Sequence, residues 1–564
     1  MRKQNYTMKK LCLFIVAAAF SQTVIHAQSQ LLPKGSNETI VPANLSELHP
    51  AGRPPLPTVQ FFNDVIIENN TSMDQRHVRI SVAFNGWLYA AYNTVDTING
   101  NGGITIRTSR DNGSTWNTID SYSVSDVRYP AFDIVVAGTD TNNMVLFLAG
   151  VNENTVSGTY TLYVDKYNAA TGAPVGSNYN MQNATGPIYD VALASDYRFP
   201  ASGASPYSVG LLYSTYGNPS DSIVFLGSSN GGVIWNIRQS VSTTGNFFRK
   251  VSIAYGRSAS ASNGRYFGAW EMIGSASART GHIYTSRSGS LITSPWIAPV
   301  NLDSVSGSMI NLCSNPQMAV QYNNIDNDSS SCTAVVLVQR DFNGDGADHD
   351  LLGFYNKRSH FTNYWSRLDI VNSGENDIQP DIAYDPGADN FVATYYDSTN
   401  AYLPCISNPM NLLMPSGWSN ISTQYNDQTN LAAAYPRIDI NPFNNQPALA
   451  WIAELPGIPG IAMFDAQYVI TGISANAHGG FSTSLYPNPA NDAVTIAFGL
   501  DKQTHVSYQV YDIAGKLIAT RDLGILNSGF HNEQVEVSNW NNGVYFVRIN
   551  NGENVITTSM VIAH

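Results

Sequence analysis

Apolar residues along this chain fall into short runs that alternate with polar residues, a pattern typical of β-strands that bury one face. One five-residue pattern recurs: proline or another residue, any residue, an apolar residue, a small residue or Asp, and an apolar residue. Its clearest copy is PDIAY at residues 380–384. Seven copies, spaced 52 to 67 residues apart, have as first apolar residue Ile80, Phe132, Val191, Val251, Met318, Ile382 and Ile438.

A repeat of this size is typical of β-propeller blades with loop insertions. The first repeat contains four predicted strands, at residues 79–84, 88–93, 104–109 and 116–122. The last repeat contains three, and a lone strand at 59–68 precedes the array, so we predict that this strand completes the last blade. The prediction is an all-β fold: a seven-bladed β-propeller over residues 58–470, with six or eight blades as alternatives, followed by a small C-terminal β-sandwich.

The ends of the chain are organised differently. Residues 1–27 carry basic residues, then a short apolar run, then a small residue, which predicts an export signal peptide. Residues 28–57 predict a disordered spacer and 471–483 a linker, before a separate block of strands at 484–564. Later apolar runs are too short to span a bilayer, so no transmembrane segment is predicted.

Charge and cysteine content exclude some partners. Without the signal peptide, 25 Lys and Arg stand against 42 Asp and Glu, a net charge of -17. This sign disfavours nucleic acid and anionic membranes. Cys313, Cys332 and Cys405 remain after removal of the signal peptide, so at most one disulfide forms, and its pairing stays open.

Three ordered motifs mark the C-terminal block: LYPNPA at 485–490, VYDIAGK at 510–516 and NGVYFV at 542–547. Together they closely resemble the type A C-terminal sorting domain of type IX secretion cargo, although residues 559–564 lack the usual basic tail. The resemblance implies a β-sandwich that directs the protein, via the periplasm and the type IX secretion machinery, to the outer cell surface or the medium. A generic β-sandwich binding module is the alternative.

Two eight-residue segments predict a special turn, SRDNGSTW at 109–116 and SSNGGVIW at 228–235. Asp111 is expected to accept hydrogen bonds from nearby main-chain N–H groups, Gly113 to adopt positive φ, and Trp116 to pack between blades. The first segment matches the Asp-box of sialidase-like propellers, and the second carries Asn in place of Asp. Such a turn joins the third and fourth strands, opposite the expected ligand face, so it bears on fold and not on activity.

Starts of first strands and ends of second strands meet at one end of each antiparallel sheet. The strand starts there carry Arg79, Asp190, Lys250, Asp381 and Arg437; the strand ends carry Asn93, Glu271, Arg340, Asp397 and Glu454. Arginines could hold a carboxylate, and carboxylates could do acid–base work. The candidate site residues are Arg79, Arg437, Asp381, Glu271, Asp397 and Tyr396. The alternative is that these charges are solvated strand ends paired with one another.

The segment DFNGDGADHD at 341–350 follows the logic of a calcium loop, with oxygen-bearing residues at alternate positions and a glycine at the sixth. It resembles the DxNGDGxxD hairpins of other propeller families, with His349 where those usually carry Asp. The predicted ligands of a structural Ca²⁺ are Asp341, Asn343, Asp345 and Asp350, with Asp348 as the alternative to Asp350 for closing the site. A simple Asn-Gly or Asp-Gly hairpin turn is the alternative.

We therefore predict a secreted or cell-surface propeller that binds an extracellular glycan or another polymer. One alternative is an exo-acting glycosidase of sialidase type, because RYPAF at 128–132 looks like the sialidase Arg-Ile-Pro motif, although it follows the better Asp-box instead of preceding it. Another is a non-catalytic adhesion or structural protein. Arginines converging beside Tyr396 and Glu271 would favour the enzyme, and a mouth with paired charges would favour the binding protein.

Overall fold

The structure is a computed structural model of the full chain. It describes residues 64–466 and 482–563, except for 69–72, 97–100, 139–143, 177–178, 185, 197–206, 216–221, 244–246, 257–263, 275–277, 279–280, 290, 304–312, 323–331, 342–345, 347, 358, 360–363, 372–373, 387, 410–417, 423–424, 427–431, 442–445, 456–457, 487–489, 501–502, 514, 528 and 553–554. The predicted signal peptide, the spacer and the linker up to residue 481 lie outside the described residues. Between these limits the described chain forms strands and turns, with no helix that could cross a membrane.

The strands before residue 467 are β1 (Val65–Ile66), β2 (Met73–Val82), β3 (Leu88–Asp96), β4 (Gly102–Ser109), β5 (Asn117–Val124), β6 (Val127–Ala137), β7 (Val145–Asn154), β8 (Thr159–Asn168), β9 (Tyr179–Ala184), β10 (Ile188–Ser195), β11 (Val209–Thr215), β12 (Ser222–Ser228), β13 (Ile237–Thr243), β14 (Phe247–Gly256), β15 (Arg265–Ile273), β16 (His282–Arg287), β17 (Val300–Asn301), β18 (Cys313–Val320), β19 (Ala334–Asp341), β20 (His349–Asn356), β21 (Ser366–Val371), β22 (Asp377–Asp385), β23 (Asn390–Asp397), β24 (Cys405–Pro409), β25 (Ser419–Ser422), β26 (Ala432–Asn441), β27 (Gln446–Leu455) and β28 (Ile458–Ala466).

In the described part of the chain these strands form seven four-stranded antiparallel sheets, each built from consecutive strands. The inner strands β2, β6, β10, β14, β18, β22 and β26 follow one another around a closed ring, in which β26 also packs against β2. The last sheet has the order β1-β28-β27-β26, so the N-terminal strand completes it. Val65 pairs with Phe464 and Ile66 with Met463, which gives the last sheet its fourth, outermost strand.

The core of the propeller is divided among the spaces between neighbouring sheets. Each of the seven spaces holds one cluster of buried apolar side chains contributed by both flanking sheets. Trp270 lies in the cluster between the third and fourth sheets and Trp451 in the cluster between the sixth and seventh, and both are fully buried. Both apolar residues of each copy of the repeated pattern therefore pack in the space between their own sheet and the preceding one.

Side-chain oxygens connect the inner strands around the ring. At six of the seven junctions, a main-chain N–H of the next inner strand donates to an Asp or Ser of the preceding one. The pairs are Val82 to Asp439 (2.8 Å), Val136 to Ser81 (3.1 Å), Leu193 to Asp133 (2.7 Å), Val251 to Asp190 (3.1 Å), Met318 to Ser252 (3.0 Å) and Ile438 to Asp381 (2.9 Å). At the fifth junction, the Gln379 N–H donates instead to Gln339 Oε1 of β19 (3.0 Å).

Every inner strand contains a shift of register near its start. The four prolines of the repeated pattern lie within these irregularities, for example Pro316 between Ser314 and Gln317. A proline has no N–H to give to a ladder, so within a sheet it is tolerated at a bulge. In the four inner strands that carry it, the recurrent proline therefore marks the point where the strand bends.

The turns at 109–116 and 228–235 form the hydrogen bonds that the sequence predicts. Asp111 Oδ1 accepts from Thr115 N (2.9 Å), and Ser109 Oγ accepts from Gly113 N (2.8 Å). Asn230 and Ser228 repeat both bonds with Ile234 and Gly232, at 2.9 Å each, so Asn replaces Asp without changing the turn.

These turns also lock neighbouring sheets together. Gly113 has φ 91°, and an added Cβ would lie 1.9 Å from Phe464 Cε1 of β28. The Trp116 ring lies edge-on to the same Phe464 at 5.3 Å, as its predicted packing between blades requires. An added Cβ at Gly232 would likewise lie too close to the ring of Phe147 of β7. Each turn thus packs against an aromatic residue of the preceding sheet.

The C-terminal block has seven strands: β29 (Ser482–Tyr486), β30 (Ala493–Leu500), β31 (Thr504–Asp512), β32 (Leu517–Leu526), β33 (Gly529–Glu536), β34 (Gly543–Asn550) and β35 (Val555–Ile562). They form a sheet β29-β30-β33 and a sheet β32-β31-β34-β35. Both sheets contribute to one buried cluster that includes Phe498, Tyr508 and Val547. This is the arrangement of a small β-sandwich.

Some details differ from the predicted ones. The first inner strand begins at Met73, not Arg79, because the irregular register lets the strand continue past the bulge. Trp116 precedes β5, since the turn occupies its main chain. In the fifth sheet, β19 ends at Asp341 and β20 begins at His349, so both strands extend into the predicted calcium hairpin. Cys313, Cys332 and Cys405 are buried free thiols, so no disulfide forms among them.

We expect Asp439→Ala to weaken closure of the ring, because Val82 N would lose its acceptor. A buried N–H left unsatisfied costs about 1–3 kcal/mol. Asp439→Asn is the matched control, since its side-chain oxygen can still accept the bond. Chemical unfolding of the mature protein should show a clear loss for Ala and a smaller one for Asn; equal losses would contradict this role of Asp439.

Gly113→Ala should destabilise the fold by about 3 kcal/mol, through contact with Phe464 and the cost of positive φ for a residue with a Cβ. Gly158→Ala is the control, because Gly158 has φ 66° but no atom within 4 Å of an added Cβ. Thermal unfolding should therefore show a much larger drop for Gly113→Ala. Equal drops for the two variants would mean that the close packing of Gly113 does not matter.

Candidate functional site

The inner strands surround a cavity of about 460 Å³ on the axis of the propeller. Residues of all seven inner strands line it, because alternate side chains of a strand point to the same side. The second position of the repeated pattern supplies one layer in six of the seven strands, which consists of Arg79, Asp190, Lys250, Gln317, Asp381 and Arg437. Two residues further along lies a second layer, which consists of Ser81, Asp133, Ala192, Ser252, Ala319, Ala383 and Asp439.

The carboxylates in this cavity are engaged by the fold. Asp133, Asp190 and Asp381 each use Oδ2 to accept the main-chain bond of the next sheet. The other oxygen of Asp133 lies 3.4 Å from Arg79 Nε, and that of Asp381 lies 3.6 Å from Arg437 Nη1. The acids therefore hold the ring together and position the arginines.

Burial shapes the protonation of these groups. Burial raises the pKa of Asp133 to about 6, although Arg79 acts in the opposite direction. Burial also raises the pKa of Asp381, again opposed by its arginine partner. The pKa of Arg79 falls to about 10, first because of burial and then because Arg437 is close. Two guanidinium groups are thus brought together at one side of the mouth.

His77 lies at the same side and stays neutral. Burial, with the nearby Lys250, Arg79 and Arg437, lowers the pKa of His77 to about 3. Its ring lies 4.2 Å from the ring of Tyr435, centroid to centroid. Arg79, Lys250 and Arg437 line the same cavity as His77, together with the carboxylates of Asp133, Asp190, Asp381 and Asp439.

Three residues that line the cavity have strained backbone. Asn315, Gln379 and Tyr435 each precede a proline of the repeated pattern and have φ between 51° and 55°. Such values are uncommon for residues other than glycine, and strain of this kind concentrates at functional sites. All three line the cavity, so the bulges turn an amide, a second amide and a phenol toward the mouth.

We call Asn315, Gln379, Tyr435 and His77 the polar arc. Hydrogen bonds hold these residues in place. Gln339 Oε1 accepts from Asn315 Nδ2 (2.7 Å) and from Gln379 N. Gln379 Oε1 in turn accepts from Tyr435 N (2.6 Å). On the far side of Tyr435, Asn93 Oδ1 accepts from His77 N (2.9 Å). The arc therefore runs without interruption from the fifth sheet to the first.

The structure brings together only some of the candidate site residues. Arg79, Arg437 and Asp381 line the cavity, and Glu271, Asp397 and Tyr396 are not among its lining residues. Glu271 is buried, pairs with Arg249 (2.6 Å) and has a pKa raised by that burial.

Asp397 and Tyr396 are likewise used within their own part of the fold. Asp397 is buried and accepts from the N–H groups of Thr399 and Asn400. Tyr396 packs against the cluster between the sixth and seventh sheets. In the wider set, Arg340 is buried, while the side chain of Glu454 lies outside the described residues.

The predicted calcium hairpin is described only in part. Asn343 and Asp345 lie outside the described residues, while Asp341 and Asp350 are both buried. Asp341 Oδ2 accepts from Gly346 N (2.8 Å), as a tight turn requires. The neighbouring sheet places carboxylate oxygens of Glu375, Asp377 and Asp397 within 4.8 Å of one another.

Comparison with solved structures finds chains of similar overall shape and low identity. An α-L-arabinanase from Penicillium chrysogenum, solved with arabinobiose, shares 13% identity with a TM-score of 0.42 over 73% of this chain and 98% of that one. A protein of unknown function from Dyadobacter fermentans shares 11% (TM-score 0.41; 73% and 100%). A Trypanosoma rangeli sialidase in complex with sialic acid shares 10% (TM-score 0.35; 90% and 89%). No curated protein sequence matches the chain.

The family comparison concerns the C-terminal block. Residues 484–563 match the family described as the secretion system C-terminal sorting domain. The match includes the three motifs that resemble the sorting domains of type IX cargo. The chain thus carries a C-terminal sorting domain, which indicates export by type IX secretion to the cell surface or the extracellular space.

Proposed function

We propose that the propeller binds an anionic glycan at its axial cavity, outside the cell. The observation that carries this proposal is that three cations from different inner strands, Arg79, Lys250 and Arg437, line the same cavity. The nearby carboxylates already accept main-chain bonds, so the cations are the groups best able to take a ligand. Positive groups that converge in a cleft attract an anion and bind it by charge-assisted hydrogen bonds.

The polar arc is suited to bind the uncharged part of a sugar, which consists of hydroxyl groups and an apolar ring face. Amides such as those of Asn315 and Gln379 donate to and accept from hydroxyl groups, and the Tyr435 ring offers an apolar face. A concave site with a few converging polar groups is the usual form of a small-ligand site. The cavity volume of about 460 Å³ falls in the range of about 300–1,000 Å³ for such sites.

Binding without hydrolysis is the function that the geometry favours. Glycoside hydrolysis ordinarily needs two carboxyl groups free to act on the scissile bond. In the cavity Asp133 and Asp381 are tied to the main chain and to arginines, and the Tyr396 and Glu271 pair expected of a sialidase-type enzyme does not line it. The paired charges support a surface binding protein over an exo-acting glycosidase.

Lys250→Met should weaken binding of acidic oligosaccharides by about 10- to 100-fold, since a hydrogen bond to a charged group contributes roughly 1.5–3 kcal/mol. Lys250 is exposed at the mouth, so the fold should tolerate the change. Isothermal titration of the mature protein with uronic-acid-terminated and sialic-acid-terminated oligosaccharides measures the effect. Affinity for these probes should also fall as salt rises.

The matched control is Lys516→Met, which removes the same charge from an exposed position of the sorting domain. It should leave the affinity unchanged. Equal binding of acidic and neutral oligosaccharides by the unaltered protein would contradict an anionic ligand. Release of reducing sugar from the acidic probes would favour the glycosidase instead.

We also propose that the hairpin at 341–350 holds a structural Ca²⁺. Two buried carboxylates at its ends, Asp341 and Asp350, support this proposal, because carboxylate oxygens are the ligands that Ca²⁺ prefers in proteins. Calcium should then raise the melting temperature of the propeller in proportion to the logarithm of its free concentration.

Asp345→Ala should abolish this calcium dependence, because the fifth position of such a loop supplies a ligand. Differential scanning calorimetry of the chelator-treated protein, with and without added calcium, measures it. Asp348→Ala distinguishes the two ways of closing the site, since a retained calcium dependence leaves Asp350 as the closing ligand. A midpoint that does not respond to calcium in the unaltered protein would leave the simple hairpin turn as the explanation.

A further inference from the structure

Exposed apolar side chains concentrate in the C-terminal sorting domain. Among the residues that the structure describes, fourteen large apolar side chains are exposed, and seven of them lie between residues 513 and 561. Such side chains scattered singly over a surface need no explanation, but a contiguous group marks an interaction site.

Five of these residues, together with the partly exposed Tyr511, meet at one end of the sheet β32-β31-β34-β35. Across this sheet Val544 pairs with Val561, Phe546 with Tyr511, and Tyr511 with Leu517. Side chains of directly opposed residues lie on the same face, about 4.5–5.5 Å apart at Cβ. We call the following side chains the apolar patch: Tyr511, Ile513, Leu517, Val544, Phe546 and Val561.

The sandwich does not use the apolar patch for its core. The alternate residues of the same strands, such as Val510, Tyr545 and Met560, point inward and are buried in the common cluster. Val544, Phe546 and Val561 retain 37–38% of their surface in contact with solvent, and Ile513 retains 79%. Stability of the sandwich therefore does not explain why these outer positions are apolar.

The outer face of the other sheet provides an internal comparison. There β33 exposes Gln534 and Glu536, which are polar, while its inward residue Val535 is buried. The two outer faces thus differ in character although both flank the same core. Four of the six residues of the apolar patch belong to the motifs at 510–516 and 542–547, which also carry the resemblance to type IX cargo.

We propose that the apolar patch is the surface by which a component of the type IX secretion machinery binds this sorting domain. The machinery is the occupant to expect, because the match over 484–563 makes export the role of this domain and four of the six patch residues belong to its motifs. Lys516 and Arg548 are exposed on the same sheet. The partner surface then has an apolar centre and acidic groups at its rim.

The test uses the full chain, expressed in a bacterium that has a type IX secretion system. The variant Val544→Thr/Phe546→Thr removes apolar surface and keeps residues that favour strands. We expect the exported fraction, at the surface and in the medium, to fall about tenfold or more, as for loss of central interface residues. The retained protein should accumulate in the periplasm in folded, protease-resistant form.

The matched control is Gln534→Thr/Glu536→Thr on the polar outer face, which should be exported normally. Normal export of Val544→Thr/Phe546→Thr would overturn the proposal. If that variant melts at a lower temperature than the control, the single variant Leu517→Gln decides the question, because Leu517 is 45% exposed at the hairpin edge. Its normal export would equally overturn the proposal.

Size-exclusion chromatography with light scattering tests a different occupant. If the unaltered protein is a dimer and the patch variant a monomer, a second copy of the chain covers the patch and the proposal fails. Affinity of the purified variant for acidic oligosaccharides should be unchanged. Export and glycan binding therefore succeed or fail independently.

Discussion

The propeller depends on one kind of hydrogen bond, from a main-chain N–H of an inner strand to a side-chain oxygen of the preceding sheet. Apolar clusters hold adjacent sheets together but have little directional preference. The bonds from Val82 to Asp439 and from Leu193 to Asp133 are directional. Each one fixes the position of an inner strand, along its own axis, relative to the inner strand of the preceding sheet. Because the ring is closed, a change in one junction must be accommodated by all the others.

The same bonds connect the fold to the site. Asp133 and Asp381 each use one oxygen for the ring and turn the other toward an arginine. The mouth therefore acquires positive groups in fixed positions without separate supporting residues. A chemistry that required those acids to be free would compete directly with closure of the ring, which is the physical reason for favouring binding over hydrolysis.

Much of this architecture could be predicted from the repeated pattern. The period and the missing last strand indicated the sheets, and the structure places β1 in the last sheet as predicted. The small-or-Asp position was visible as well, but its partner lies in the next sheet, about sixty residues away, and no local pattern names it. The motifs at the C-terminus identified the sorting domain because they occur together and in order.

The candidate site was only half predictable, for a geometric reason. Arg79 and Arg437 were found because starts of inner strands face the axis. Glu271 and Asp397 end strands one place further out, where their own sheet uses them. The polar arc was missed, because a bulge reverses the direction of the residue before each proline. The recurrent proline itself was the signal that could have located Gln379 and Tyr435.

The position of β28 has a mechanical consequence. This strand lies between β27 and β1, and the chain leaves the propeller from its end toward the sorting domain. Any tension carried through the C-terminal part of the chain therefore reaches the propeller along β28. The ladder hydrogen bonds on both sides of β28 then share the force. A pull on the sorting domain therefore cannot detach this strand by breaking one ladder alone.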